Sequence, residues 1–154
     1  MAKSRLNGAL FGRLCVEYID GNAWRLYQIR GEEFGLKLST GYTIVPDDGF
    51  IFDFASIPRP ARWVYPKVGT GKGGAYGPAG AIHDWLYSYP GILDRRYCDK
   101  IFLLAMELKS VRHSMRSFFY RAVRIGGKRF FGKPDKLNKL RGTTESPSEV
   151  PPSL

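Results

Sequence analysis

A segment rich in proline and glycine, residues 58–78, divides the sequence into two halves with different hydrophobic patterns. Pro58, Pro60 and Pro66 come first, and a glycine-rich stretch over residues 69–78 follows. Because proline and glycine both interrupt regular structure, this segment predicts a long loop. Apolar residues before it form short strand-like runs, whereas those after it recur with the period of a helix. The chain is therefore predicted to be an α+β protein, with strands first and helices second.

The first half contains short runs of branched and aromatic residues separated by turn signals, a pattern typical of antiparallel strands. The sequence D-G-N at 20–22 predicts a hairpin turn, and P-D-D-G at 46–49 predicts a second turn. Residues 1–10 are predicted to be a loose lead-in. The expected strands of this antiparallel meander lie at 14–19, 24–29, 36–38, 42–45 and 50–54.

The second half predicts three helices, at 78–88, 95–109 and 115–126. We expect two or three of them to pack against the meander, which gives one α+β domain over residues 1–132. Residues 133–154 are first basic and then rich in proline, serine and threonine, so they are predicted to be a flexible tail, disordered unless bound. The apolar stripe expected on the third helix consists of Met115, Phe118, Phe119, Ala122 and Ile125.

Positive charge is concentrated near the end of the chain. The net charge is +10, and residues 112–141 hold ten lysines and arginines against one acid, Asp135. Such a block attracts polyanions, namely nucleic acid, anionic lipid or an acidic protein surface, although a solvated helix face with a basic tail explains it equally well. The candidate nucleic-acid contacts are Arg112, Arg116, Arg121, Arg124, Lys128 and Arg129.

The cysteine content and the N-terminal sequence bear on where the protein resides. Cys15 and Cys98 form no C-x-x-C pair, which favours a reducing compartment and argues against a thiolate zinc site. Residues 1–10 are polar and basic without an apolar core, so no signal peptide is expected, and no transmembrane segment is expected either. We expect synthesis in the cytoplasm.

The strongest candidate for a chemical site is the segment G-A-I-H-D-W-L-Y at 80–87. His83 and Tyr87 share one helix face, and the turn Y-P-G at 89–91 makes the next helix antiparallel, which allows Asp99 to face His83. A carboxylate on one imidazole nitrogen fixes the tautomer and leaves the other nitrogen as a base. The alternative is a histidine that simply satisfies its hydrogen bonds in the core.

Two further features lie close to this segment in the sequence. Asp84 offers an oxygen ligand for a divalent cation such as calcium, and carbonyl groups of the glycine-rich stretch could supply others. The segment D-F-A-S-I-P-R at 53–59 predicts a strand that turns sharply. Its Asp53 and Ser56 either satisfy backbone groups of the turn or lie beside His83, where Asp53 is a second candidate partner for the histidine.

Three motifs resemble a family of small phage and prophage proteins of unknown function. They are D-F-A-S-I-P at 53–58, A-I-H-D-W-L-Y at 81–87 and C-D-K-I-F at 98–102, and they occur in the family's order. The resemblance covers roughly residues 11–130. It implies a bacteriophage origin but no particular activity. A phage protein is synthesised in a host cytoplasm, and the virion is one place where it could reside.

The glycine-rich stretch, the H-D-x-x-Y helix and the later aspartate also resemble secreted phospholipases of the A-two type, including their viral capsid versions. That resemblance implies that His83 is the general base for water and that Asp84 binds calcium. It further implies that Asp99 orients His83, with Tyr87 in support.

Three functions are consistent with these features. The first is a virion-associated or assembly protein that docks other virion proteins. The second is a phage-encoded hydrolase, acting on envelope lipid or peptidoglycan through the His83–Asp99 pair. The third is a nucleic-acid binder that uses its basic helix without sequence preference. A hydrolase requires His83 to line an open cleft, whereas a structural role allows His83 to be sealed in the core.

Overall fold

The computed structural model describes residues 6–20, 23–52 and 76–133 of the chain. The predictions for residues 21–22, for the segment 53–59, for the glycine-rich stretch before residue 76 and for the tail from residue 134 lie outside these ranges. Within the described part, strands precede helices, which confirms the α+β prediction.

Six short strands form two antiparallel sheets in the described N-terminal half. The strands are β1 (Gly8–Phe11), β2 (Cys15–Asp20), β3 (Ala23–Tyr27), β4 (Gly35–Leu38), β5 (Thr43–Ile44) and β6 (Ile51–Phe52). The first sheet has the order β1-β4-β5 and the second has the order β2-β3-β6. Strands β2 and β3 form the expected hairpin, in which Tyr18 pairs with Trp24.

The first strand corrects one prediction. Residues 1–10 were expected to be a loose lead-in, but Gly8–Phe11 forms β1 and pairs with β4, with Gly8 opposite Leu38. The run G-A-L-F is too short and too poor in branched residues to indicate a strand on its own. Its stability comes from a partner strand distant in sequence, which local patterns do not reveal.

Residues 76–133 contain three helices, close to the predicted bounds: α1 (Gly77–Ser88), α2 (Arg95–Leu108) and α3 (His113–Gly126), with a 3₁₀ turn at Gly127–Arg129. Pro78 lies in the first turn of α1, where its missing N–H costs nothing. Asp94 caps α2, since its carboxylate accepts the backbone N–H of Tyr97 at 2.8 Å. None of these helices is long and apolar enough to cross a bilayer.

Helix α1 is the centre of the domain. Ten of its twelve residues are buried, so its polar side chains must find partners inside the protein. Ile82 and Leu86 pack in one cluster with Leu26 of β3 and Ile44 of β5, which joins the helix to both sheets. The sequence therefore places its H-D motif on the most buried of the three described helices.

The C-terminal end of α1 is fixed to the turn that precedes β6. Asp47 in that turn accepts hydrogen bonds from Trp85 Nε1 at 3.1 Å and from the Tyr89 hydroxyl at 2.7 Å. Since Asp47 is 38 and 42 residues away from these two side chains, the bonds fix the orientation of α1 against the sheets.

The predicted apolar stripe of α3 is partly wrong. Phe119 is buried as expected and Val123 is buried with it, but Phe118 and Ile125 face solvent. Apolar residues occupy more than one face of this helix, so spacing alone did not determine which face packs inward.

Candidate functional site

His83 and Asp99 are in contact between α1 and α2. The Nε2 atom of His83 lies 2.9 Å from Oδ1 of Asp99, so the geometry predicted for the pair is present. The imidazole is 2% exposed and the carboxylate is fully buried. The contact forms because the short turn after Ser88 reverses the chain and brings the inner faces of the two helices together.

The carboxylate of Asp99 has partners from all three helices. The Tyr87 hydroxyl donates to Oδ1 at 2.5 Å, alongside His83. Arg124 of α3 donates to Oδ2 at 2.6 Å, and Arg95 Nη1 lies 3.6 Å from the same oxygen. A buried carboxylate is tolerated when its charge is paired and its lone pairs are satisfied, and Asp99 meets both conditions.

These partners determine the protonation of Asp99. Burial by itself raises the pKa of this carboxyl, but donors from His83, Tyr87 and Arg124 outweigh burial and hold the pKa below its usual value. Asp99 is therefore ionised and can only accept hydrogen bonds. It follows that Nε2 of His83 carries a proton and that, in the neutral ring, the free electron pair is on Nδ1.

The second nitrogen of His83 points toward Asp84. Nδ1 lies 3.9 Å from Oδ1 of Asp84, which is longer than a hydrogen bond. Burial by itself lowers the pKa of His83, but the carboxylates of Asp84 and Asp99 raise it, and the net direction is upward. The ring is fixed in place by contacts with Tyr87 and Phe102, at centroid distances of 4.0 Å and 4.7 Å.

Asp84 is the least satisfied polar group near the histidine. Its side chain is buried, and its Oδ2 has no hydrogen-bond partner among the described residues. An unpaired carboxylate oxygen in the interior is costly, and this fits a carboxylate that binds a cation. The described ranges contain no cluster of three or more His, Cys, Asp or Glu side chains able to hold a metal. Further ligands would therefore have to be backbone carbonyls or residues outside those ranges.

Several predicted residues have other outcomes. Asp53 and Ser56 lie outside the described residues, so their position relative to His83 is not given. His113, the second histidine of the sequence, is exposed in the first turn of α3. The two cysteines are free thiols; Cys98 is buried and Cys15 is partly exposed.

The six basic residues predicted to contact nucleic acid differ in their surroundings. Arg124 is bound to Asp99, and Arg116 lies 3.9 Å from Glu107. The other four are exposed: Arg112, Arg121, Lys128 and Arg129. Two of these six positive charges are therefore paired with carboxylates of the same chain.

The contacts of Asp99 with arginine side chains were not predicted from the sequence. Arg95 is four residues before Asp99 on α2, a spacing that indicates an ion pair on a helix and could have been recognised. Arg124 is 25 residues away, and its contact depends on how α3 packs across α2, for which the sequence carries no local signal.

Comparison with known families adds one assignment. The family model described as "Protein of unknown function (DUF1353)" matches residues 31–123, more than half of the chain. No curated protein and no solved structure shows significant similarity to this sequence. The matched range contains the three motifs at 53–58, 81–87 and 98–102, and with them His83, Asp84 and Asp99. The chain therefore belongs to the DUF1353 family of proteins of unknown function.

Proposed function

We propose that this protein is a hydrolase in which the His83–Asp99 pair activates a water molecule. The observation that carries the proposal is the arrangement of three side chains. His83 is bound to Asp99 through Nε2, its Nδ1 makes no hydrogen bond to Asp84, and the buried Oδ2 atom of Asp84 has no partner among the residues that the structure describes. A purely structural pair explains the first feature but not the unpaired oxygen of Asp84.

The chemistry suited to this geometry is hydrolysis of a carboxylic ester, with an envelope lipid as the substrate class. Nδ1 of His83 would take a proton from water while the water oxygen attacks the ester carbonyl carbon. The C–O bond to the alcohol then breaks, and the imidazolium returns the proton to the departing alkoxide. The products are a carboxylic acid and an alcohol, and His83 ends in its starting state.

Asp99 would act as a positioning residue in this reaction. Its ionised carboxylate holds the Nε2–H of His83, which fixes the ring orientation and stabilises the imidazolium formed during proton transfer. Tyr87 and Arg124 donate to the two oxygens of Asp99 and so keep that carboxylate charged and oriented.

Asp84 would be the protein ligand for a divalent cation, with calcium as the candidate. A bound cation would polarise the ester carbonyl as a Lewis acid. His83 is buried in the described structure, so entry of substrate requires movement of the residues that cover α1.

The proposal is tested with the purified full-length chain and phospholipid vesicles, measuring fatty-acid release by mass spectrometry with calcium or with a chelator. Wild-type protein should release fatty acid in calcium. His83→Gln should abolish release, whereas His113→Gln, which changes the exposed histidine, should retain it. Absence of release by well-folded wild-type protein with calcium, magnesium, manganese or zinc would exclude the proposed lipid esterase.

A second measurement examines Asp84 without relying on activity. Asp84→Asn removes a buried carboxylate whose Oδ2 atom has no hydrogen-bond partner among the described residues, so the melting temperature of the variant without metal should equal or exceed that of the wild type. Calcium should raise the melting temperature of the wild type only, because a ligand that binds the native state stabilises it. If calcium shifts neither protein, Asp84 is not a calcium ligand.

A virion docking protein is the second candidate. Two observations favour it: His83 is sealed in the core, and the raised pKa of His83 favours the imidazolium, the form that a structural ion pair uses. In this case Asp99 serves to join the three helices. Mass spectrometry of purified particles from the phage or prophage that encodes the chain would detect the protein at a fixed copy number.

A further inference from the structure

Helix α3 presents an exposed strip of mixed apolar and basic residues, here called the outer face of α3. It consists of Ser114, Phe118, Arg121 and Ile125, which follow one another at helical spacing and are all exposed. The side chain of Ile125 is 85% exposed and that of Phe118 is 41% exposed. The opposite side of the helix packs inward through Phe119 and Val123.

The core does not account for the apolar surface that this strip exposes. The inner face already buries Phe119 and Val123 against α2, so Ile125 contributes little to the core, whereas the Phe118 ring contacts Phe119 edge-on at a centroid distance of 5.7 Å. Aligned exposed apolar residues are typical of a surface that binds a partner or a membrane. Because Ile125 is almost completely exposed, burying its side chain on a partner would remove most of its apolar surface from water, which favours binding.

The charged side chains of α3 and of the residues that flank it in the sequence are all positive. Between Lys109 and Lys133 the sequence has eight lysines and arginines and no acidic residue. Arg116 and Arg124 are used in pairs with Glu107 and Asp99. Arg121 lies within the outer face, and Arg112, Lys128 and Arg129 are exposed near the two ends of α3.

We propose that the outer face of α3 docks on the surface of an anionic phospholipid bilayer. The positive charges complement the phosphate groups of the lipids, while Phe118 and Ile125 enter the boundary between headgroups and acyl chains. Nucleic acid would be attracted by the same charges, but it would leave Phe118 and Ile125 in water. The two apolar side chains therefore favour the lipid surface. This proposal does not depend on catalysis by His83.

The experiment is sedimentation of the full-length protein with two kinds of vesicle. One contains phosphatidylglycerol and phosphatidylcholine in equal parts, and the other contains phosphatidylcholine alone. The protein should sediment with the first and remain in solution with the second. Ile125→Ser should weaken binding about tenfold because it removes buried apolar surface, and Arg121→Gln should weaken it about fivefold because it removes one charge.

Controls separate docking from folding. Ile29→Ser changes another exposed isoleucine, 40% exposed and outside α3, and should bind like the wild type. Thermal melts should show that Ile125→Ser is as stable as the parent protein, since Ile125 contributes little to the core.

Three results would overturn the proposal. The first is equal binding to both kinds of vesicle. The second is unchanged binding by Ile125→Ser and Phe118→Ser. The third is binding to duplex DNA with no binding to either vesicle, which would assign the basic face to nucleic acid instead.

Discussion

Arg124 of α3 donates to Oδ2 of Asp99 at 2.6 Å, and this contact connects the amphipathic third helix to the buried pair between the first two. Arg95 supports it from α2, because its Nη1 lies 3.6 Å from the same oxygen and 3.2 Å from the backbone carbonyl of Arg124. One fully buried carboxylate is therefore the point at which three helices meet. The same carboxylate both holds the three helices together and fixes the orientation of the His83 ring.

Replacing Arg124 should destabilise the domain. Arg124→Gln removes a charged donor from a buried carboxylate that keeps its other partners, so the free energy of unfolding should fall by about 1–3 kcal/mol. The matched control is Arg121→Gln, which changes an exposed arginine on the same helix and should stay within about 0.5 kcal/mol of the wild type. Urea denaturation followed by circular dichroism measures both. Equal midpoints for the two variants would contradict a structural role for Arg124.

The pairing of Asp99 also predicts how stability depends on pH. The pKa of Asp99 in the folded protein is held below its usual value by its donors, so the unfolded chain binds the proton more tightly. The contribution of the ionised carboxylate is therefore fully present above the unfolded pKa of about 4 and is lost as pH falls through the lowered folded value.

The comparison of wild-type protein with Asp99→Asn measures this effect. The difference in free energy of unfolding between them should be present at pH 5 and should shrink as the pH falls below about 4. Urea midpoints at a series of pH values supply the data. A difference that is unchanged down to pH 2 would show that the ionisation of Asp99 does not contribute to stability.

The contact between His83 and Asp99 could be predicted because it depends on local geometry alone. Two amphipathic helices joined by a short Y-P-G turn lie side by side, and residues on their facing sides then meet. The same kind of local pattern gave the bounds of the three helices and of the β2–β3 hairpin.

The features that were missed depend on distant parts of the chain. Strand β1 exists because β4 pairs with it, and Asp47 meets Trp85 and Tyr89 because the sheets pack on α1. The contact of Arg124 with Asp99 depends on how α3 packs across α2. The residues that neighbour β1, Asp47 or Arg124 in the sequence do not indicate any of these contacts.

The two cysteines should differ sharply in reactivity. Burial raises the pKa of Cys98 to about 12, so almost no thiolate is present at pH 8 in the folded protein. Cys15 is partly exposed and should react first. With a chromogenic disulfide reagent, one thiol should react quickly and the second only after denaturant is added. Cys15→Ser should remove the fast phase, and rapid labelling of two thiols in native protein would contradict the burial of Cys98.

Gly127 follows α3 and lies directly against Tyr87. A Cβ atom at this position would be 2.6 Å from the Tyr87 hydroxyl and 3.3 Å from the ring carbon that bears it. That hydroxyl donates to Asp99, and the ring is packed edge-on against Phe131, so it has little room to move. Gly127→Ala should therefore shift the ring, weaken the bond to Asp99 and lower the free energy of unfolding by about 1–3 kcal/mol.

The matched control for this substitution is Gly91→Ala. Gly91 lies in the exposed turn between α1 and α2, and a Cβ atom there would meet nothing within 4 Å. Its substitution should leave stability unchanged or raise it slightly, since alanine restricts the unfolded chain more than glycine does. The urea denaturation midpoints of the two variants measure the difference in their stability. If Gly127→Ala is as stable as Gly91→Ala, the Tyr87 ring can adapt without cost, and tight packing against Gly127 does not hold the Tyr87–Asp99 contact in place.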